Sequence, residues 1–441
     1  MISRFQRTLK YLMYSFLFSL FLLSSAQPAN SQGPIVSAQR RARTTSAPAQ
    51  QWIASIDPMF RRPVTTSSAA YYAGETLMVP LHAAFALDNS TWEKEFSDYF
   101  QRNTQSPEQI TDIELSRLQF LYLTSQFIVL AKSANHEELI PPGLPDFVFS
   151  EVEAAWRFKS ATEWEHAPFH GMRDLVLYKL ETHKVAKSYF RAIQDDEIFL
   201  FAIAADLKAY RGTTTQQREW NDVLDDVLEI AHRVFTQEVT FDRSGGWVFQ
   251  PGVYADHPDF QYAGNERPEP GMQKKLASYI GWDSSHSLRF PLWITSLMNA
   301  YPRGSALNVF YSNLRDGLAK QFFTKVLVEP SASSPCYRVN NFMDGSNGVY
   351  RWGYGSFGPN NGYGPYGISG SLLLGWWAFI GTAQSKALYT DIAGRYPWPK
   401  ECIELYLGPA AASHPYTSSD LDPNSPVMQS YYLLVSLASQ L

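Results

Sequence analysis

An all-α fold is what this sequence predicts, and three observations carry the prediction. Apolar residues recur at helical spacing along most of the chain beyond residue 66. No segment shows a sustained strand-like alternation of polar and apolar residues. The 441 residues, 45% hydrophobic and 15% aromatic, are too apolar for a disordered chain, and 2 cysteines are too few for a disulfide-framework scaffold.

The first element reads as an export signal. Arg4, Arg7 and Lys10 precede a short apolar run, Leu12 to Leu23, and Ser24 and Ala26 supply the small residues of a cleavage site. That run is shorter than the ~20 residues a membrane helix needs, so residues 1–26 are expected to be a signal peptide, with no stable membrane span once it is removed. Residues 27–66 are expected to be a flexible leader, because 27–50 are rich in Ser, Ala, Gln, Pro and Arg. A periplasmic or extracellular location would also permit Cys336 and Cys402 to form one disulfide.

Helical spacing then predicts helices near 67–86, 91–102, 110–132, 150–164, 171–190, 198–207, 215–237, 274–281, 291–300, 304–326, 368–390 and 426–440. The clearest is Thr215 to Gln237. Trp220, Val223, Leu224, Val227, Leu228, Ala231, Val234 and Phe235 share one face, and Asp222, Asp225, Asp226 and Glu229 occupy the other. Thr214 or Thr215 suits its N-cap. Ile198 to Leu207, just before it, is apolar all round, as a helix covered on every side would be. Together they read as an inner and an outer helix. With no linker or repeat, 67–441 is expected to be a single catalytic domain of helical hairpins around an axis, an α/α toroid.

Two long loops interrupt the helices. Ser244–Gly271 carries Trp247, Tyr254, Asp256, His257 and Tyr262. Asn340–Gly370 has nine glycines from Gly345 to Gly370, interleaved with aromatics including Trp352, Tyr354 and Tyr363. Long loops inside a compact domain are usually functional, and flat aromatic faces stack on sugar rings. Both loops are expected to line the cleft end of the domain, with those residues, Trp282, Asn341 and Asp344 as substrate contacts.

Titratable residues cluster at Trp282-Asp283-Ser284-Ser285-His286-Ser287-Leu288-Arg289. Pro291 fits a first helical turn, which makes this segment a loop leading into a helix. His286 is the best general acid or base of the nine histidines there, with Asp283 and Arg289 beside it. Asp195-Asp196-Glu197 precedes the inner helix, and Asp196 is the acid of that group expected to face substrate. Asp256-His257-Pro258-Asp259 lacks the ligand spacing of a zinc site, so neither metal nor cofactor is expected. Setting aside the six basic residues of 1–50, the rest of the chain carries a net −11, which argues against nucleic-acid binding.

The segments SSHSLRF (284–290), YRWGY (350–354) and DDEIFLFAIAADL (195–207) resemble stretches of the α/α-toroid carbohydrate-active enzymes, a group that includes alginate lyases and several glycoside hydrolases. The first looks like the Asn-Asn-His-Ser stretch of alginate lyases, with Ser284 and Ser285 in place of both asparagines. The resemblance implies an enzyme that cleaves a polysaccharide or oligosaccharide. In the lyase version Arg289, or Arg351 with Asn341, neutralises a uronate carboxylate while His286 and Tyr354 act as base and acid. In the hydrolase version paired carboxylates drawn from Asp196, Glu266, Asp283 and Asp344 act instead. A non-catalytic glycan-binding protein of a polysaccharide export system is the third reading.

Overall fold

Sixteen α-helices come from the runs of helical period in the computed structural model, which describes residues 47–105, 110–164, 166–212, 218–409 and 416–441. In order they are α1 (Ala47–Ser55), α2 (Asp57–Phe60), α3 (Ser67–Thr76), α4 (Met78–Ala86), α5 (Ser90–Thr104), α6 (Glu114–Ser133), α7 (Leu144–Glu153) and α8 (Met172–Glu181). They continue as α9 (Asp195–Arg211), α10 (Arg218–Glu238), α11 (Ser284–Ser287), α12 (Phe290–Asn299), α13 (Ala306–Gln321), α14 (Ala383–Gly394), α15 (Lys400–Leu407) and α16 (Pro426–Ala438). The protein is mostly helical, as its periodicity predicts. The expected signal peptide, 1–26, lies outside the described residues, as does the expected N-cap of α10.

Helices with apolar sides all round pack on one another in chain order. α6 lies against α3 and α9, α9 against α12, and α12 against the tight turns of Trp376–Ile380. α16 lies against α4 and against the turns of Ser369–Leu374. Helices with one polar face cover them: α5 on α4, α10 on α9, α13 on α12, and both α1 and α14 on α16. In α9, every residue from Ile198 to Leu207 is buried. Each such Ile, Leu or Phe contributes roughly 1.5–3 kcal/mol by leaving water. In α10 the eight apolar residues of the predicted face are all buried, whereas Asp222, Asp225 and Glu229 stay exposed.

A polar seam crosses this core. Asp206 Oδ2 accepts from Ser125 Oγ at 2.6 Å and from Gln126 Nε2 at 2.8 Å. Gln126 also reaches Ser296 Oγ at 3.0 Å, and His82 Nε2 pairs with Gln126 Oε1 at 2.9 Å. Four inner helices are thereby joined by hydrogen bonds as well as by packing. Burial pushes the Asp206 carboxyl up to about 7 against the pull of these donors, and pushes His82 down to about 4.

Several boundaries differ from the sequence expectation, each for a physical reason. The folded body begins before residue 67: α1 and α2 bury Trp52, Ile56 and Phe60, with Trp52 stacked on Trp92 at 4.0 Å. Residues 47–66 are therefore part of the domain and not a flexible leader. Residues 274–281 are not helical. Lys275 N–H donates to the Gln261 carbonyl and its own carbonyl accepts from Gly264 N–H, so the segment pairs with the first long loop. The expected helix at 171–190 stops at Glu181, and 368–380 forms tight 3₁₀ turns ahead of α14. Gly375 and Gly381, both in the left-handed region, end those turns.

Strands are confined, among the described residues, to three two-stranded hairpins. They are β1–β2 (Ser160–Ala161 with Phe169–His170), β3–β4 (Val239–Phe241 with Trp247–Phe249) and β5–β6 (Leu327–Val328 with Arg338–Val339). In β3–β4, Val239 faces Phe249 and Phe241 faces Trp247. Cys336 and Cys402 form a disulfide with Cα atoms 5.4 Å apart, which fastens the approach to β6 onto α15.

Candidate active site

The site grows from the turn that leads into α12. Asp283 caps the short helix α11, its Oδ1 accepting from the backbone N–H of Ser285 at 3.1 Å and of His286 at 3.0 Å. One turn of helix brings the imidazole of residue 286 back over that carboxylate, and Nδ1 meets Oδ2 at 2.8 Å. The Ser285 hydroxyl also donates to Oδ1, and Tyr350 OH donates to Oδ2 at 3.1 Å. Burial opposes charge on Asp283, yet His286, Arg351 and Ser285 hold its carboxyl well below the usual range. In the neutral imidazole, donation of Nδ1–H to the fixed carboxylate places the lone pair of His286 on Nε2. The side chain is 18% exposed, and Nε2 has no hydrogen-bond partner among the described residues. It is a carboxylate-oriented imidazole with one nitrogen available for proton transfer.

Arg289 points the other way. Its side chain is 0% exposed. One Nη donates to Asp195 Oδ2, and Nη2 donates to Tyr71 OH at 2.6 Å and Glu75 Oε1 at 3.2 Å. The guanidinium joins α3, α9 and the start of α12. The expectation that Arg289 neutralises a substrate carboxylate is corrected here, because two internal carboxylates already fill that role. Burial raises the Glu75 carboxyl although Arg289 and His286 both pull it down. Tyr71 and Glu75 escaped the sequence reading; their i, i+4 spacing puts them on one helix face, but Ser67, Ser68, Tyr72 and Thr76 in the same helix leave the pair without a distinctive signal.

Beside this clamp, Lys179 Nζ is buried between Glu163 Oε2 at 2.6 Å and Glu197 Oε1 at 2.5 Å. Two carboxylates around one ammonium leave Glu197 pushed up to about 8 by burial, with Lys179 opposing. Glu197 Oε2 also accepts from Gln194 N–H at 2.5 Å, closing a capping box on α9. Asp196 is half-buried and makes no ion pair among the described residues. Burial raises its carboxyl against Lys179, and Asp195 adds to the rise.

The two long loops meet at this turn. Arg351 Nε donates to Asp259 Oδ2 at 2.8 Å, and Arg351 N–H donates to the Asp259 carbonyl at 2.9 Å. The guanidinium lies over Tyr350 and Tyr354, 5.1 and 5.2 Å from the ring centroids, and its Nη1 has no hydrogen-bond partner. Arg351 sits at φ 54°, an uncommon value for a side chain of this size. Gly348 permits the approach: a Cβ there would lie 1.7 Å from the Ala263 carbonyl oxygen. Asn341 Nδ2 donates to the carbonyls of Gly348 at 2.9 Å and Gly364 at 2.8 Å, and its own carbonyl accepts from Ser284 N–H. Both amide protons are thus spent on loop carbonyls, which corrects the expectation that Asn341 assists in neutralisation.

The remaining predicted contacts divide. Tyr254 is half-buried, stacks on Phe260 and feels the charges of Asp195, Glu197, Glu163 and Asp283, so it lies among them. Tyr363 stacks beside Tyr350 and is pushed up to about 12 by burial. Trp352 and Tyr262 are half-buried on the loops. Trp282 is buried against Phe249, Tyr254 and Phe290. Trp247 is also buried, with its indole N–H on the Leu314 carbonyl at 2.6 Å, and is a core residue instead of a sugar platform. Asp344 accepts from Gly281 N–H at 2.9 Å and Asp256 from Ser188 Oγ at 2.5 Å, so both staple loops. His257 accepts from Asp259 N–H at 3.2 Å among the rings of Trp164, Tyr189 and Tyr254.

Two surface hollows, of about 300 and 780 Å³, lie apart from His286. The larger touches the first loop through Pro251 and Asp256. The titratable groups, however, converge at the α12 turn, and reactive chemistry follows those groups. No protein-family model, curated protein or solved structure matches the chain.

Proposed function

We propose that the protein is an exported enzyme that cleaves glycosidic bonds of a uronate-containing polysaccharide by β-elimination. The observation that carries this reading is the Asp283–His286 pair with a free Nε2, set beside Tyr350, Arg351 and Tyr354. In elimination a base removes the proton at C5 while the C4–O bond breaks, and a C4=C5 double bond forms. His286 Nε2 is the base, oriented by Asp283. Arg351 is buried and paired with Asp259, but its Nη1 lacks a partner, and it would stabilise the carboxylate as charge moves onto it once the loops open to admit substrate. Tyr354, under the Arg351 guanidinium, returns a proton to the departing oxygen.

The inner helices support an α/α toroid as the frame. Successive contacts run from α3 through α6, α9 and α12, and α16 returns to α4. The order of charges and apolar residues at 1–26 and the single disulfide both fit an oxidising, exported location. Among the described residues no helix is long and apolar enough to cross a membrane.

A glycoside hydrolase is the second reading. Asp196, with its raised carboxyl, would be the general acid, and Asp283, held ionised, the second carboxylate. One experiment separates these readings: purified mature protein is incubated with a panel of neutral and uronate polysaccharides. Ultraviolet absorbance from an unsaturated uronate supports the lyase. New reducing ends without that absorbance select the hydrolase, and binding with neither signal selects a glycan-binding protein.

A further inference from the structure

We infer that Asp88, Glu93 and His136 form a binding site for a first-row divalent cation of the zinc type, away from the His286 cluster. One ligand atom from each residue lies within 4.8 Å of the others. His136 Nδ1 and Glu93 Oε2 are 2.9 Å apart, in hydrogen-bond contact; ligands about 2.1 Å from a tetrahedral ion stand about 3.4 Å apart, so this pair would open by about 0.5 Å to admit one. The third ligand atom, from Asp88 on an exposed turn, lies within 4.8 Å of the others, so it would close by at most about 1.4 Å to reach the same spacing.

An independent observation points to a missing ligand. Glu93 is only 1% exposed, and its Oε1 has no hydrogen-bond partner although it is buried. A buried carboxylate oxygen almost always has a donor or an ion beside it. The neutral imidazole of His136 satisfies one oxygen at most. Surroundings add to the case. Asp88 follows the C-terminal end of α4, and His136 follows the C-terminal end of α6, where His136 N–H donates to the Ala131 carbonyl. Helix C-termini carry partial negative charge, which favours a cation between them.

Two carboxylates with one imidazole suit zinc or manganese better than calcium or magnesium, which prefer oxygen alone. The site joins α4, the first turn of α5 and the end of α6, so its effect is on stability.

The test uses the whole mature protein, stripped with a chelator. Zinc chloride is titrated by calorimetry and by thermal melting. The expected result is one bound zinc per chain and a higher melting temperature. Asp88→Gly, which suits the left-handed φ of 50° at this exposed position, should fold normally and weaken binding at least about tenfold. His136→Gln, which still pairs with Glu93 through its amide, should abolish the zinc-dependent rise. Failure of zinc to bind would overturn the inference, as would binding by both variants as tight as the parent's. Calcium binding as tightly as zinc would overturn the choice of ion.

Discussion

At the scale of single residues, the proposed chemistry turns on how one carboxylate orients one imidazole. His286→Ala removes the proposed base and leaves its neighbours in place. We expect activity on the cognate polysaccharide to fall by about 10²–10⁴-fold while the melting temperature stays within a few degrees. A folded variant with near-normal turnover would take His286 out of the mechanism. Asp283→Asn tests orientation separately. The amide can still cap α11, but it no longer holds Nδ1–H with a charge, so kcat should drop about 10²-fold or more with KM little changed. Steady-state kinetics with circular dichroism as a fold control measures both.

At the scale of elements, the buried guanidinium of Arg289 joins three inner helices through Asp195, Tyr71 and Glu75. Its removal leaves two buried carboxylates uncompensated. Arg289→Met is therefore expected to destabilise the domain by about 3–5 kcal/mol, measured by urea unfolding. Arg289→Lys keeps the charge but loses the fork that reaches all three partners, and should fall between the two. The disulfide acts at the same scale. Linking residues 66 apart contributes about 4 kcal/mol in the chain-entropy account, so a reductant should lower the melting temperature without changing the helical spectrum.

At the scale of the whole molecule, the polar seam predicts how stability changes with pH. Asp206 has an ordinary value of 3.8 when unfolded and about 7 in the folded core. The folded state holds that proton more tightly, so the contribution is full below about pH 4 and is lost as pH rises toward 7. Asp206→Asn keeps an acceptor for Ser125 and Gln126 and cannot titrate. Urea unfolding at pH 5 and pH 7.5 should show a smaller decline for the variant than for the parent. An equal decline would assign the pH dependence to other buried acids, such as Glu197. His82 works in the opposite sense: its folded value of about 4 costs stability as pH falls from 6.5.

Helix type and face were legible from period alone, because burying one stripe requires apolar residues at fixed spacing; α10 matched its predicted face residue by residue. The segment 283–289 was legible only in part: Pro291 marks the first turn of α12, but Ser284–Ser287, expected as loop, form the short helix α11 that Asp283 caps. What lies across the molecule was not. The partners of Arg289 come from positions 71, 75 and 195, and nothing local distinguishes a buried arginine held by such partners from a free one facing substrate. Trp247 read as a sugar platform because an aromatic residue in a loop carries no local sign of the Leu314 carbonyl that receives its N–H. The sequence by itself determined that the protein is helical and where its clusters of titratable side chains fall along the chain. Only the tertiary structure decided which charges neutralise one another and which nitrogen remains free, because desolvation and hydrogen bonding depend on neighbours that chain order does not specify.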